Sequence, residues 1–184
     1  EEAPAPPIVE RRVLFAADTM RIGQLIVRPR SAEIGKLEQE GVNKLALLMS
    51  GVFARHDGPR RYALATPNHA VFLPAHVPYR VSFPGCVGDV CLMLAFPPEG
   101  LARLMPEAMA RDAFDTSRFA ECALLTPEVM LASRLLHAQL SNGGDDDPLL
   151  VQETVVGLLA DVLAAARRER PRRATVGPID PRAR

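Results

Sequence analysis

At 184 residues, 48% hydrophobic and 24% charged, the chain suits one domain, or one domain with an appendage, and its composition excludes disordered and fibrous classes. The formal charge is zero but sorted: residues 167–184 hold seven arginines against Glu169 and Asp180, a net of +5, which leaves −5 on the preceding 166 residues. Three cysteines (Cys86, Cys91, Cys122) exclude a disulfide framework, and no uninterrupted apolar run reaches the roughly 18 to 20 residues of a membrane span. The chain opens Glu-Glu-Ala-Pro-Ala-Pro-Pro without a basic-then-apolar export signal, so a cytoplasmic protein with no membrane partner is expected.

In chain order, residues 1–10 are rich in Pro, Ala and Glu and are predicted to be a flexible segment, because Pro4, Pro6 and Pro7 cannot donate ladder hydrogen bonds. The fold is expected to begin at Arg11, with strands over 12–16 and 20–28 and a turn at Asp18. Residues 31–42 are polar and carry no clear period. From 43 to 83 short apolar runs (44–49, 62–65, 70–73, 79–83) alternate with turn chemistry at Ser50-Gly51, Asp57-Gly58-Pro59, Thr66-Pro67-Asn68 and Pro74 to Pro78. That rhythm predicts a small antiparallel barrel or sandwich. Val90 to Phe96 reads as a strand buried on both faces, ended by Pro97-Pro98, and there the sheet is expected to finish.

The period then becomes helical. Leu101, Leu104 and Met105 mark a short helix, and Thr126-Pro127-Glu128 is a helix start with an N-cap threonine and proline at the first helical position. Asn142-Gly143-Gly144 stops that helix, and Asp147-Pro148 starts a second of about six turns that ends in arginines. Its stripe Val151, Val155, Leu158, Leu159, Val162 and Ala166 is widened by Leu149, Val156 and Leu163. This exceeds one buried face, so Val151, Val155, Leu159, Val162 and Ala166 are candidate dimer-interface residues. The remainder, PRRATVGPIDPRAR, reads as a linker.

With LATPNHAVFLPAHVPYRV at 64 to 81, followed by helices like 126 to 140 and 148 to 168, the chain resembles the N-terminal sensor and dimerisation region of AraC-type transcription regulators. The resemblance implies a mainly β, cupin-like (jelly-roll) barrel over 11–98, then an antiparallel helix pair in a dimerisation region over 99–170. A linker over 171–184 would lead to a DNA-binding domain of two helix-turn-helix units that the sequence does not reach. It also implies a homodimer, a small-molecule effector in the barrel, and DNA contact only through that C-terminal domain. Enzymatic cupins hold a metal with an H-x-H pair, a glutamate and a later histidine. Counted back from Gly51, those positions fall here on Glu38 and Glu40 (or Leu37 and Gln39), on Lys44, and on Tyr79. An ammonium repels a divalent cation and a phenol is a poor ligand, so neither metal nor cofactor is expected.

Leu47, Met49, Tyr79, Val81, Phe83 and Met93 are candidate ligand-cavity residues, with His76 as a donor at the mouth; the alternative for the apolar members is plain barrel filling. His56, His69 and His76 are not spaced as a metal pair and read as turn residues. Cys86 and Cys91 flank a turn, which raises a redox switch against ordinary packing. Asp145 to Asp147 lacks the glycine and glutamate of a calcium loop and reads as a turn with Asp147 as cap, and the arginines of 167–173 fit a helix end as well as nucleic acid. The expectation is a regulatory, non-enzymatic chain. Its rivals are a metal-dependent cupin enzyme (dioxygenase or isomerase) and a stand-alone small-molecule-binding cupin.

Overall fold

The computed structural model describes residues 6–58, 61–115, 121–143 and 147–168. Among the described residues nine strands form two antiparallel sheets: β1 (Ile8–Ala16), β2 (Arg21–Arg28), β3 (Asn43–Gly51), β4 (Phe53–Gly58), β5 (Arg61–Ala65), β6 (His69–Leu73), β7 (Arg80–Ser82), β8 (Asp89–Phe96) and β9 (Cys122–Leu124). The larger sheet runs β1-β2-β8-β3-β6-β9 and the smaller β5-β4-β7. Four α-helices among the described residues follow or interrupt the last strands: α1 (Pro98–Leu104), α2 (Glu107–Asp112), α3 (Pro127–Ser141) and α4 (Pro148–Arg168).

Two boundaries differ from the sequence reading. Strand β1 starts at Ile8, three residues inside the segment expected to be flexible, because Ile8, Val9 and Glu10 pair with Arg28, Val27 and Ile26 of β2. The sheet does not finish at Phe96: β9 returns after two helices and pairs with the outer edge of β6, His69 opposite Leu124 and Val71 opposite Cys122. Three residues are too few to announce a strand by period. The proposed linker and the glycine-rich stop at 144 lie outside the described residues, as does most of the acidic triplet; Asp147 Oδ1 does cap α4 by accepting from the Leu149 amide at 2.9 Å.

Gly51 joins β3 to the strand that turns away into the smaller sheet. Its φ is +86°, and a Cβ there would stand 1.9 Å from the carbonyl oxygen of Gly88, so the close approach of two backbones requires glycine.

The two faces of the larger sheet carry separate cores. On one face Leu45, Leu47 and Met49 of β3, Leu92, Leu94 and Phe96 of β8, and Ala70 and Phe72 of β6 pack with Val129, Leu136 and Leu140 of α3 and the buried side of α4. On the other, Ala46, Leu48, Val71, Leu73 and Cys91 meet Phe53, Ala65 and Tyr79. Polar clasps fix the helices to the first face. Gln24 Nε2 and His137 Nε2 lie 2.9 Å apart, Thr19 Oγ1 donates to Gln152 Oε1 at 2.9 Å, and an Arg134 N–H donates to the Met49 carbonyl at 3.2 Å. Burial, then the charge of Arg134, lowers the pKa of His137, which favours the neutral ring facing Gln24.

The expected dimer stripe on α4 is corrected by this packing. Val151, Val155, Leu159, Val162 and Ala166 are all at most 1% exposed within the single chain. The surplus apolar width of α4 is taken up because the helix lies against α3 and β9 as well as the sheet, so no partner copy is needed to cover it. An 18-residue window of α4 has a mean hydropathy of 1.7, so the helix is long and apolar enough to cross a membrane although Gln152, Glu153 and Asp161 interrupt its apolar run, and its apolar stripe packs into the core.

Candidate functional site: a cavity between the sheets

Side chains alternate along a strand, so inward positions follow from register. Arg21, Gly23, Leu25 and Val27 of β2 stand opposite Ala95, Met93, Cys91 and Asp89 of β8, and these continue to Lys44, Ala46, Leu48 and Gly51 of β3. This is the hollow face. Between it and the smaller sheet lies a cavity of about 310 Å³, at the small end of the range for small-molecule sites.

The sequence-predicted cavity residues divide. Tyr79, Val81, Phe83 and Met93 line the cavity together. Leu47 and Met49 do not: their side chains belong to the helix-facing core, and Ala46 is the β3 residue that faces the hollow with Lys44. His76 sits in an exposed turn at φ +62°, donates its backbone N–H to the Glu40 carbonyl at 2.8 Å, and is not a lining residue.

At one end, four polar side chains converge. The segment 35–40, which has no period of its own, runs beside 79–81 through paired backbone bonds between Glu38 and Tyr79 (2.8 and 2.9 Å) and from the Gly35 amide to the Val81 carbonyl (2.8 Å). This brings Glu38 and Glu40 to Lys44 and Tyr79, the same four positions that spacing assigns to the cupin metal site. Tyr79 Oη donates to Glu40 Oε1 at 2.8 Å, and Lys44 Nζ donates to Glu40 Oε2. Both carboxylate oxygens of Glu40 are thus engaged, and the cation of the cluster is a lysine. The smaller sheet backs Tyr79 with Arg55, buried at 1% exposure, paired with Asp57 at 2.8 Å and lying 5.6 Å over the phenol ring. Burial, then the charge of Glu40, pushes the Tyr79 hydroxyl up, so it stays a donor. Burial, then Glu40, also raises Glu38, against the opposing charges of Lys36, Arg11 and Lys44. Among the described residues no group of three His, Cys, Asp or Glu side chains is arranged to hold a metal ion.

The other end holds a feature that sequence reasoning missed. Asp89 is 4% exposed, accepts from Cys91 Sγ at 2.9 Å through Oδ2, and has no partner for Oδ1 among the described residues. Burial pushes its carboxyl up to about 6. The same burial, followed by the Asp89 charge, pushes the Cys91 thiol well up, opposite to what a redox-active thiol requires, while Cys86 is exposed and free. Asp89 follows a turn, where an aspartate is ordinary, so nothing in the local sequence marks it.

No family model matches the sequence, and no curated protein matches it. Solved structures do. A candidate mannose-6-phosphate isomerase from Ralstonia eutropha is similar at 18% identity over 51% of this chain and 89% of its own, with a TM-score of 0.42. A cupin superfamily protein from Desulfitobacterium hafniense is similar at 17% identity over 52% and 82%, TM-score 0.39. The cupin domain of an XRE family transcriptional regulator from Enterobacter cloacae is similar at 15% identity over 49% and 97%, TM-score 0.39. Two of these three solved structures are described as cupin proteins, one of them a domain of a transcriptional regulator.

Proposed function

We propose that this chain is the effector-sensing and dimerisation region of an AraC-type transcription regulator, a non-enzymatic cupin that binds a small molecule between its sheets. The observation that carries the reading is the cavity itself, hollow on one face of a sheet whose other face is fully packed, with Lys44 and Tyr79 occupying the positions where a catalytic cupin needs metal ligands. Lys44 Nζ already pairs with the Glu40 carboxylate that would otherwise be offered to a metal cation. The effector would act by binding one arrangement of the dimer or linker better than another.

The dimer is assigned to α3 rather than α4. Leu131 and Leu135 are 60% and 61% exposed, and with exposed Ala138 they follow the i, i+4, i+7 spacing of one helix face. Operator recognition belongs to a C-terminal domain, so this segment alone should give no footprint that survives moderate salt.

The reading is tested by a ligand screen read as thermal shift, with Ala46→Phe as the control that fills the cavity, alongside elemental analysis. Ligands that stabilise the native chain but not Ala46→Phe support it. One iron, zinc or manganese per chain bound through Glu38 and Glu40 would overturn it in favour of the metal-dependent enzyme.

A further inference from the structure

Arg21, Ala95 and Lys44 lie in one cross-strand row on the cavity face, with the alanine on the central strand. Neighbouring strands are about 4.8 Å apart, so the two cationic residues stand about 10 Å apart at their backbones with only a methyl group between them. The gap leaves room for a small planar anion between the two side chains.

The carboxylates at this end are already matched. Glu40 is held by Lys44 and Tyr79, and Glu38 is faced by Lys36 and Arg11. Arg21 has no hydrogen-bond or ion-pair partner among the described residues, and only one donor of Lys44 is assigned, to Glu40. Among the cavity-lining groups away from Asp89, Arg11, Arg12, Arg21 and Lys44 stand against Glu38 and Glu40, so cationic side chains outnumber carboxylates by two. Arg21 and Ala95 also border a second hollow toward Asp18 and Val42, so the row stands at the edge of the cavity, where an anion keeps part of its hydration. Beyond the row the walls are Met93, Leu25, Val81, Phe83 and Phe53, which offer an apolar body no polar partner. Asp89 is six residues further along β8, about 20 Å away, too far to repel a head group at Arg21.

Resting on the sensor reading above, we infer that the cavity takes an amphipathic carboxylate: an apolar alkyl or aryl body between the sheets and a carboxylate over Ala95, bound by the Arg21 guanidinium and the free N–H donors of Lys44. A guanidinium fork matches a carboxylate in two parallel hydrogen bonds, which an alcohol cannot form and an ammonium would repel.

The test is calorimetric titration of the full chain with octanoate, 1-octanol and octylammonium, three probes of one body and three heads, repeated on Arg21→Gln and Ala46→Phe. Arg21 is exposed, so its replacement leaves the fold intact; unchanged melting of each variant checks this. Octanoate should bind at least tenfold tighter than the other two, Arg21→Gln should remove that preference without weakening octanol, and Ala46→Phe should weaken all three. Octanol or octylammonium binding as tightly as octanoate, or Arg21→Gln leaving octanoate unchanged, overturns the carboxylate assignment while the cavity reading stands. Failure of all three probes at millimolar concentration, or equal binding to Ala46→Phe, overturns both.

Discussion

The two faces of the six-stranded sheet are built from the same strands and differ in almost every other respect. Toward the helices, Leu45, Leu47, Leu92, Leu94, Phe96 and Phe72 are 0% exposed and belong to one apolar cluster with α3 and α4. Toward the smaller sheet the corresponding rows carry Ala46, Gly23, Ala95 and Met93, and end in Lys44 and Arg21 on one side and Asp89 on the other. Small residues at the centre leave space, and charged residues at the ends give it polarity. The first face carries the stability, and the second is hollow at its expense. That division predicts how each face responds when altered.

The largest effect belongs to the solid face. Leu159, 1% exposed on α4, touches the sheet side of the core, so Leu159→Ala should destabilise the chain by about 2 to 5 kcal/mol through lost burial and the cavity left behind. Denaturant unfolding measures this. A loss below about 1 kcal/mol, with a dimer converted to monomer, would return Leu159 to an intermolecular interface and undo the assignment of the solid face.

Next is Asp89, on the hollow face. Its folded-state pKa of about 6 lies above the ordinary carboxylate value near 3.9, so the native chain prefers the neutral acid. Stability is then fully present below the ordinary value and falls as pH rises through about 4 to 6, with a limiting cost of roughly 3 kcal/mol above that window. Asp89→Asn keeps an oxygen for the Cys91 thiol and removes the charge. It should raise stability at pH 7 and flatten the change between pH 4 and 6. A variant no more stable than the parent at pH 7 would mean that Oδ1 finds a partner in solution.

How much of this was legible follows the same two faces. Helix starts are local chemistry, and Thr126 accepts from the Val129 amide as its N-cap position requires, while Asp147 caps α4. The main strand runs were equally plain, because turns punctuate them. Which side of β3 faces the hollow was not legible. Leu45 to Met49 are all buried, so no alternation distinguishes inward from outward. Leu47 and Met49 were therefore assigned to the wrong face, while buried Tyr79 and half-buried Val81 and Phe83 were placed with the cavity. Residues 35–40 owe their position to isolated bridges with 75 and 79, which leave no period; only the metal-site spacing pointed to Glu38 and Glu40. The width of α4 was read correctly as too apolar for one face, but sequence could not say that α3 and β9 supply the second.

A smaller effect tests the polar end. Tyr79→Phe removes the hydrogen bond to Glu40 Oε1 and leaves that oxygen half-buried without its donor, at a cost of about 1 kcal/mol. If Lys44 and Tyr79 stand in for a metal centre, the variant should still purify without stoichiometric metal, and its melting should be insensitive to chelator. A chelator-dependent loss of stability in either protein would show a cation where the lysine is assigned.

The smallest expected effect on stability is on the outer surface, where it should decide assembly instead. Leu131 and Leu135 lie one turn apart on α3 and remain largely exposed, and burying a leucine completely contributes roughly 1.5 to 3 kcal/mol. Two such residues per protomer, doubled by two-fold symmetry, provide a self-complementary apolar centre of the kind an isologous dimer uses. Leu131→Glu with Leu135→Glu should therefore change the unfolding free energy of the monomer by no more than about 0.5 kcal/mol, since neither side chain is part of its core. Sedimentation at tens of micromolar should show the parent as a dimer and the double variant as a monomer, with the octanoate affinity of the cavity unchanged. A parent that sediments as a monomer removes the homodimer from the proposed function. A double variant that remains dimeric moves the interface elsewhere on the surface.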